Sequence, residues 1–423
     1  MDFLKDLFLE AIRVPATGER MMKLSLKIGT VIGATLLAGC QTPSPWEMKV
    51  TNSETILFDA DKRSSQVSNF SSSEKSKETA EYFCGSYKNP ISTTGSPPAS
   101  MKAGTAYDYT ARAREVEWWM KSLTKLGTTY AVMKDDNAGR SAVDFLVQWA
   151  NASALLETPT FWAGFEPGTS GATRNALQVV SIATYAAITT YLNIKNHDAM
   201  TPENSKLVVD WIDRLFSKYT AGHYRWYANK PTHRRMWDNS RLKIDLTYMA
   251  YAIMKGDDEK FQFSIQGFLK YMDKVRPDGS HPDGSGRGSR AIWYTGLTLI
   301  ITTSFLEILE NQSYPAYDQY GDQYHKMVDF FLDAIDDPEV IYPYAKAMLV
   351  SKGRDYRVQD LSFLEIKHTN IAWVEAFVAR FPNHPNTNRI KKIMGNTSSV
   401  YRDYLFGGNA SCAFRDFEMT FDN

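Results

Sequence analysis

Residues 276–294 read Arg276-Pro277-Asp278-Gly279-Ser280-His281-Pro282-Asp283-Gly284-Ser285-Gly286-Arg287-Gly288-Ser289-Arg290-Ala291-Ile292-Trp293-Tyr294, and a long apolar run follows. Glycine and proline punctuate most of this stretch, so its backbone reads as a loop. It then feeds a helix predicted over residues 290–311. Arg276, Arg287 and Arg290 gather where that helix begins. A helix N-terminus carries partial positive charge and favours anions. Arginines there are either a solvated basic loop or a place built to receive an anion.

On both sides of the loop, apolar residues recur at spacings of three and four, the period of a helix with one buried face. Ala111 to Val132 is one such segment, with Val116, Trp119, Leu123 and Leu126 on a stripe. Ser141 to Leu156 and Gly171 to Ile194 are two more. Thr201-Pro202 opens another, a capping hydroxyl before a proline at the first helical position. It runs through Val208, Trp211, Ile212 and Leu215. Further helices are predicted over 239–255, 258–274, 290–311, 321–335, 362–380 and 386–405. Turn residues separate them, as in Phe381-Pro382-Asn383-His384-Pro385. No run of strand-like alternation appears. Helices in antiparallel succession predict an all-α domain of paired helices. Periodicity alone does not choose between pairs in a ring and pairs in a row, and no fixed-length repeat marks a common solenoid.

The chain has 423 residues and a formal net charge of zero, which argues against a nucleic-acid partner. A zero sum still allows a local arginine cluster to set the field of a cleft for an acidic substrate. The 23 tyrosines and 10 tryptophans suit both a core and a sugar-binding cleft.

The N-terminal region carries an address. Met22-Lys23-Leu24-Ser25-Leu26-Lys27 is basic, Ile28 to Leu37 is apolar but short for a bilayer, and Leu37-Ala38-Gly39-Cys40 follows. The last four residues resemble a bacterial lipobox, which implies cleavage before Cys40 and a lipid on its thiol. Residues 1–20 precede this signal, and a start at Met21 or Met22 is the expectation. Gln41, rather than an aspartate, follows the cysteine, so an outer-membrane anchor is expected. The organisation read from composition is an upstream extension plus lipoprotein signal over 1–40, a flexible tether and irregular lid segment over 41–105, and a helical domain over 106–423. In an exported protein, Cys84 and Cys412 are either a disulfide or two buried thiols. No His/Cys cluster suggests a metal, and no cofactor is expected.

A second basic segment, Trp226 to Arg241, holds Lys230, His233, Arg234, Arg235 and Arg241 against Asp238 alone. Asp238, Asn239 or Ser240 can cap the helix that follows.

Arg287-Gly288-Ser289-Arg290-Ala291-Ile292-Trp293-Tyr294 resembles the arginine–tyrosine segment of the alginate (polymannuronate) lyases, which are α/α-toroid enzymes of the bacterial periplasm. Asp278-Gly279-Ser280-His281-Pro282 is similar to that family's Asp-Gly-x-Leu-Pro run. Asn239, 55 residues before Tyr294, stands where the family carries the second Asn of its Asn-Asn-His motif. Gln148 to Leu155 resembles a Trp-Ala-x-Ala-x-Ala-Leu helix end, and Ala372-Trp373-Val374-Glu375 resembles Ala-Trp-Leu-Glu. Together the motifs span about residues 110 to 380. The resemblance implies an all-α toroid or incomplete barrel of antiparallel helix pairs. It implies Tyr294, Arg287 and Asn239 as the catalytic set, with Ser240, Arg241, His281, Arg290 and His233 near the substrate. Two departures stand out. Ser240 replaces the family's histidine, and the family's Tyr-x-Gly-Ser-Asp lid motif has no counterpart in residues 50–105.

These residue types suit elimination from a uronate. Removing the C5 proton builds enolate-like charge on the carboxylate, which hydrogen bonds and cations stabilise. An asparagine amide and a bidentate guanidinium supply both. A phenol, whose ordinary pKa is about 10, is favoured as phenolate by nearby guanidinium groups. In mannuronate the C5 hydrogen and the C4 oxygen lie on the same side of the ring, so one tyrosine can serve as base and then as acid. The readings are a lyase on mannuronate-rich alginate, a lyase on another polyuronate such as glucuronan, and a polysaccharide-binding lipoprotein without turnover. A glycoside hydrolase would need a carboxylate pair, for which Asp238 and Asp245 are the available acids.

Overall fold

Helices pair in sequence order because each buries one apolar stripe against the next. The computed structural model describes residues 47–85, 97–101, 106–158, 170–221, 239–346, 355–366, 371–395 and 399–418, with backbone alone for 106–113, 170–177, 240 and 365–366. The helices are α1 (Ala60–Phe70), α2 (Glu74–Cys84), α3 (Ala106–Met133), α4 (Asp136–Asn151), α5 (Ser170–Ile194), α6 (Pro202–Leu215), α7 (Asn239–Lys255), α8 (Asp258–Met272), α9 (Pro282–Ser285), α10 (Ala291–Asn311) and α11 (Ala316–Asp336). Then follow α12 (Tyr342–Ala345), α13 (Ser362–Ile366), α14 (Trp373–Arg380), α15 (Pro385–Met394) and α16 (Ala410–Phe414). Among the described residues the strands are one antiparallel pair, Arg402–Asp403 with Gly408–Asn409.

An inner succession runs α3 on α5, α5 on α7 and α7 on α10. Each inner helix also packs against the helix that follows it, so α4, α6, α8 and α11 form an outer layer. The two layers differ in burial as this predicts. Outer α4 buries Ala138, Ala142, Phe145, Leu146 and Trp149 on one stripe. Inner α10 is buried on every side from Ala291 to Leu309, except at Trp293 and Tyr294. A helix apolar all round belongs either inside a protein or in a membrane. The stretch from Gly288 to Asn311 has the length and hydropathy of a span, yet 89% of its apolar window is buried within the protein. Most of its buried hydroxyls are satisfied internally: Thr295 donates to Ala291 O at 2.9 Å, Thr303 to Leu299 O at 2.8 Å and Ser304 to Ile300 O at 2.8 Å, whereas Thr302 Oγ1 finds no partner among the described residues.

The sequence placed most helices well and misjudged three segments. Thr201 accepts from Asn204 N at 3.3 Å with Pro202 in the first turn, as its cap signal predicted. The predicted helix over 362–380 is α13 and α14, with Ile371 and Ala372 outside both. The predicted helix over 386–405 stops at Met394 because Gly395 turns to φ +77°. Residues 47–85, read from composition as part of a tether, carry α1 and α2 instead. Polar composition hid their caps: Asp59 accepts from Lys62 N, and Ser73 from Ser76 N. Met48, Ile56 and Leu57 enter the main core. Val67, Ala80 and Cys84 pack with Val132 and Cys412.

Cys84 and Cys412 form a disulfide across 328 residues of sequence, with Cα atoms 4.4 Å apart. Closing so long a loop restricts the unfolded chain and contributes on the order of 2–5 kcal/mol. Arg63 adds to this closure, donating from Nε to Cys412 O at 2.8 Å and from Nη2 to Arg415 O at 2.7 Å. The predicted signal and lipid site through Cys40 lie outside the described residues.

Candidate active site

The loop at 276–290 is held by its own polar groups. Arg276 N donates to Ser280 O at 2.9 Å, and its guanidinium reaches the hydroxyls of Ser280 at 2.9 Å and Ser285 at 3.1 Å. Gly279 has φ +84° and lies so close to the outer helix α11 that a Cβ would fall 1.9 Å from Lys326 O. Glycine alone meets both demands. Arg276 therefore pins the loop, and its ring-face contact with Tyr344, 4.5 Å from the centroid, does the same.

His281 caps the short helix α9. Its Nδ1 accepts from Asp283 N at 3.1 Å, which leaves Nε2 to donate to Tyr271 O at 3.1 Å. The ring stacks on Tyr271 at 3.8 Å and is 3% exposed. Burial pushes its pKa down to about 4, against the opposing pull of the Asp283 carboxylate. Sequence reasoning set His281 near the substrate. A neutral, buried ring with both nitrogens engaged faces the fold instead.

Asp283 is thereby aimed at the start of α7. Its Oδ2 accepts from the backbone N of Asn239 at 2.6 Å and from Asn239 Nδ2 at 2.8 Å. Its Oδ1 pairs with Arg287 Nη2, and its backbone O accepts from Arg287 Nε at 2.8 Å. A carboxylate at a helix N-terminus answers unsatisfied N–H groups and the dipole together. Asp283 thus answers the N–H of Asn239 from across the fold, while Asp238, the first of the caps expected from sequence, lies outside the described residues. Asp283 had no signal in sequence beyond its place beside Pro282.

Arg287 spans from this carboxylate to Tyr294, its guanidinium carbon 4.6 Å from the ring centroid. Arg290 lies 4.4 Å from the Trp293 ring and 5.6 Å from that of Tyr294, and pairs with Asp360 at 3.6 Å. Tyr294 is half-buried, and among the described residues its phenol makes no hydrogen bond. Asn239, Arg287, Arg290 and Tyr294 thus form one cluster at the mouth of α10. A recess of about 370 Å³ lined by Ser289, Asp355, Val358, Gln359 and Asp360 adjoins it. A larger cavity of about 440 Å³ lies elsewhere, among Arg63, Glu307 and Arg380. It holds no part of this cluster, so the chemistry rather than the volume marks the site.

Arg241 goes another way. It is 4% exposed and donates from Nε to Asp245 Oδ1 at 2.8 Å inside the fold. Burial raises Asp245 to about 6, although Arg241 opposes the shift. The substrate contact read for Arg241 gives way to this buried pair, because its helical phase turns it inward. With Asp245 so engaged, a hydrolytic acid pair has no support there. His233 lies outside the described residues, as do Lys230, Arg234, Arg235 and Asp238. Ser240 sits in the first turn of α7. Among the described residues no group of three His, Cys, Asp or Glu side chains is placed to hold a metal ion.

The family model described as alginate lyase matches residues 61–341. The chain belongs to the alginate lyase family. As such it is a polysaccharide lyase. Solved structures agree on the fold. Alginate lyase A1-III from Sphingomonas species A1 is 17% identical with a TM-score of 0.65, over 88% of this chain and 99% of that one. A tyrosine-to-phenylalanine variant of alginate lyase A1-III complexed with tetrasaccharide is 16% identical with a TM-score of 0.68, over 88% and 99%. A histidine-to-alanine variant complexed with tetrasaccharide is 18% identical with a TM-score of 0.66, over 89% and 99%. No curated protein sequence matches this chain. The question that periodicity left open is answered by the likeness: the lyase is an α/α toroid. Its helix pairs form a ring, with α3, α5, α7 and α10 inside.

Proposed function

We propose that this lyase cleaves a 1,4-linked uronate polymer, mannuronate-rich alginate foremost, by syn β-elimination at the cluster around Tyr294. The observation that carries the reading is the position of Arg287, which faces the Tyr294 ring at 4.6 Å and shares one carboxylate with Asn239. The tetrasaccharide held by variants of the similar A1-III lyase supports an oligosaccharide substrate. In the proposed step the Tyr294 phenolate takes the C5 proton. The electron pair of that C–H bond becomes the C4–C5 double bond, and the C4–O bond breaks. The phenol then returns the proton to the departing O4. Asn239 and Arg287 stabilise charge on the substrate carboxylate as it grows. Arg290, on the same face, draws the polyanion in.

Ser240 favours a second reading. A hydroxyl donates one hydrogen bond but brings no imidazolium charge, so the chain can hold the polymer with little turnover. Incubation with polymannuronate, polyguluronate and glucuronan, followed by ultraviolet absorbance, separates the two. Unsaturated product is expected to form fastest from polymannuronate. Retardation on a polymannuronate affinity gel without any rise in absorbance would instead establish a binding protein, and reducing ends without absorbance a hydrolase.

The proposal includes export and a lipid at Cys40. The lipobox-like run Leu37-Ala38-Gly39-Cys40 supports it, as does a disulfide, which persists in oxidising compartments. Cells fed labelled palmitate are expected to label the wild-type chain and not Cys40→Ser. Equal labelling of both would remove the anchor from that cysteine.

A further inference from the structure

We propose that Asp283 is a positioning residue for the elimination, fixing the amide of Asn239 and the guanidinium of Arg287 in the arrangement that a substrate carboxylate meets. This rests on the function proposed above and adds a residue to it. Asn239 opens α7, while Arg287 lies on the loop before α10. The contacts described between them pass through Asp283. Its side chain is 7% exposed. Oδ2 receives two N–H groups of Asn239, at 2.6 and 2.8 Å, and Oδ1 receives Arg287.

The carboxylate is itself held on both sides. Its backbone N–H is fixed on His281 Nδ1 at 3.1 Å, and that ring is stacked on Tyr271. Gly284 sets α9 directly on α10, where a Cβ would stand 3.0 Å from Thr295 Cα, one residue beyond Tyr294. Asp283 thus joins three elements at one point: the first turn of α7, the 276–290 loop, and the turn of α10 that bears the phenol. It accepts one of the two Asn239 amide hydrogens and two of the five Arg287 N–H groups. The second amide hydrogen of Asn239 thereby keeps a fixed direction for a second carboxylate, and the Arg287 guanidinium keeps its place beside the Tyr294 ring.

The test is Asp283→Asn, which keeps size and shape. The amide offers one acceptor oxygen where two are used, and its NH2 group meets a donor on one side. One partner must therefore move. Misplacement by about 1 Å costs about 100-fold in rate, so kcat on polymannuronate is expected to fall about 100-fold. KM should stay within about threefold, and the melting temperature within a few degrees. A purely structural role would lower the melting temperature and leave kcat of the folded fraction alone. A kcat within about twofold of wild type overturns the proposal. So does a lower KM with kcat kept, because the carboxylate would then be competing with the substrate rather than arranging its site.

A crystal structure of Asp283→Asn gives a readout independent of turnover. Arg287 or Asn239 is expected to leave its wild-type place, and unchanged positions of both overturn the proposal even if the wild type makes no unsaturated product. Failure of the functional reading shows separately, as a wild type silent on all three polymers.

Discussion

Tyr294→Phe is expected to abolish unsaturated-product formation, by about 1000-fold or more, while affinity for polymannuronate stays within about threefold. General acid–base catalysis contributes about 100- to 10,000-fold. Here one phenol is asked to supply both the proton acceptor and the proton donor, so the loss falls toward the upper part of that range. Phenylalanine keeps the ring. The edge contact with Trp293, at 4.8 Å, and the cation–π contact with Arg287, at 4.6 Å, therefore survive, and the mouth of α10 keeps its shape. Ultraviolet absorbance measures turnover, and retardation on a polymannuronate affinity gel measures binding. Normal turnover by the variant would remove Tyr294 from the mechanism. Loss of binding together with turnover would show that the hydroxyl holds substrate rather than moves its proton.

The second large effect is on stability. Glu375→Gln is expected to destabilise the fold by about 3–5 kcal/mol, the range for removing one partner of a buried ion pair. Glu375 and Arg415 are 0% and 2% exposed, and Arg415 Nε donates to Glu375 Oε2 at 3.0 Å. Glu375 also accepts from the Ser411 hydroxyl. Arg415 lies 4.4 Å from the Phe83 ring, beside Cys84. The pair thus stands at the same seam as the disulfide, where the C-terminal segment meets α2. Urea denaturation should show a lower midpoint with an unchanged slope, and kcat at low temperature should be retained. The double variant Glu375→Leu/Arg415→Leu is expected to recover part of the loss, because it buries no charge. A single variant as stable as wild type would show that solvent reaches the seam and compensates.

That result bears on how the sequence is read. Ala372-Trp373-Val374-Glu375 resembles a family run, which invites a functional role for its acid. The structure turns Glu375 away from the Tyr294 cluster and gives it to Arg415. His281 and Arg241 teach the same lesson. Each is a polar residue in a segment with the right motif, and each is spent on the fold. A motif fixes spacing along the chain. It does not fix which way a side chain turns at the end of a loop or the first turn of a helix.

The chain's local chemistry alone determined its helical class, most helix positions, the Thr201-Pro202 cap and the cluster of arginines before Tyr294. Periodicity and caps act over a few residues, and a linear reading sees them in full. Tertiary structure alone decided three things. It made a ring of helix pairs. It folded the polar stretch 47–85 onto the core through Val67, Ala80 and a bond from Cys84 to Cys412. It also brought Asp283 to Asn239, 44 residues away in sequence. Each depends on burial and charge pairing between distant segments, whose energies are set by which surfaces meet in space.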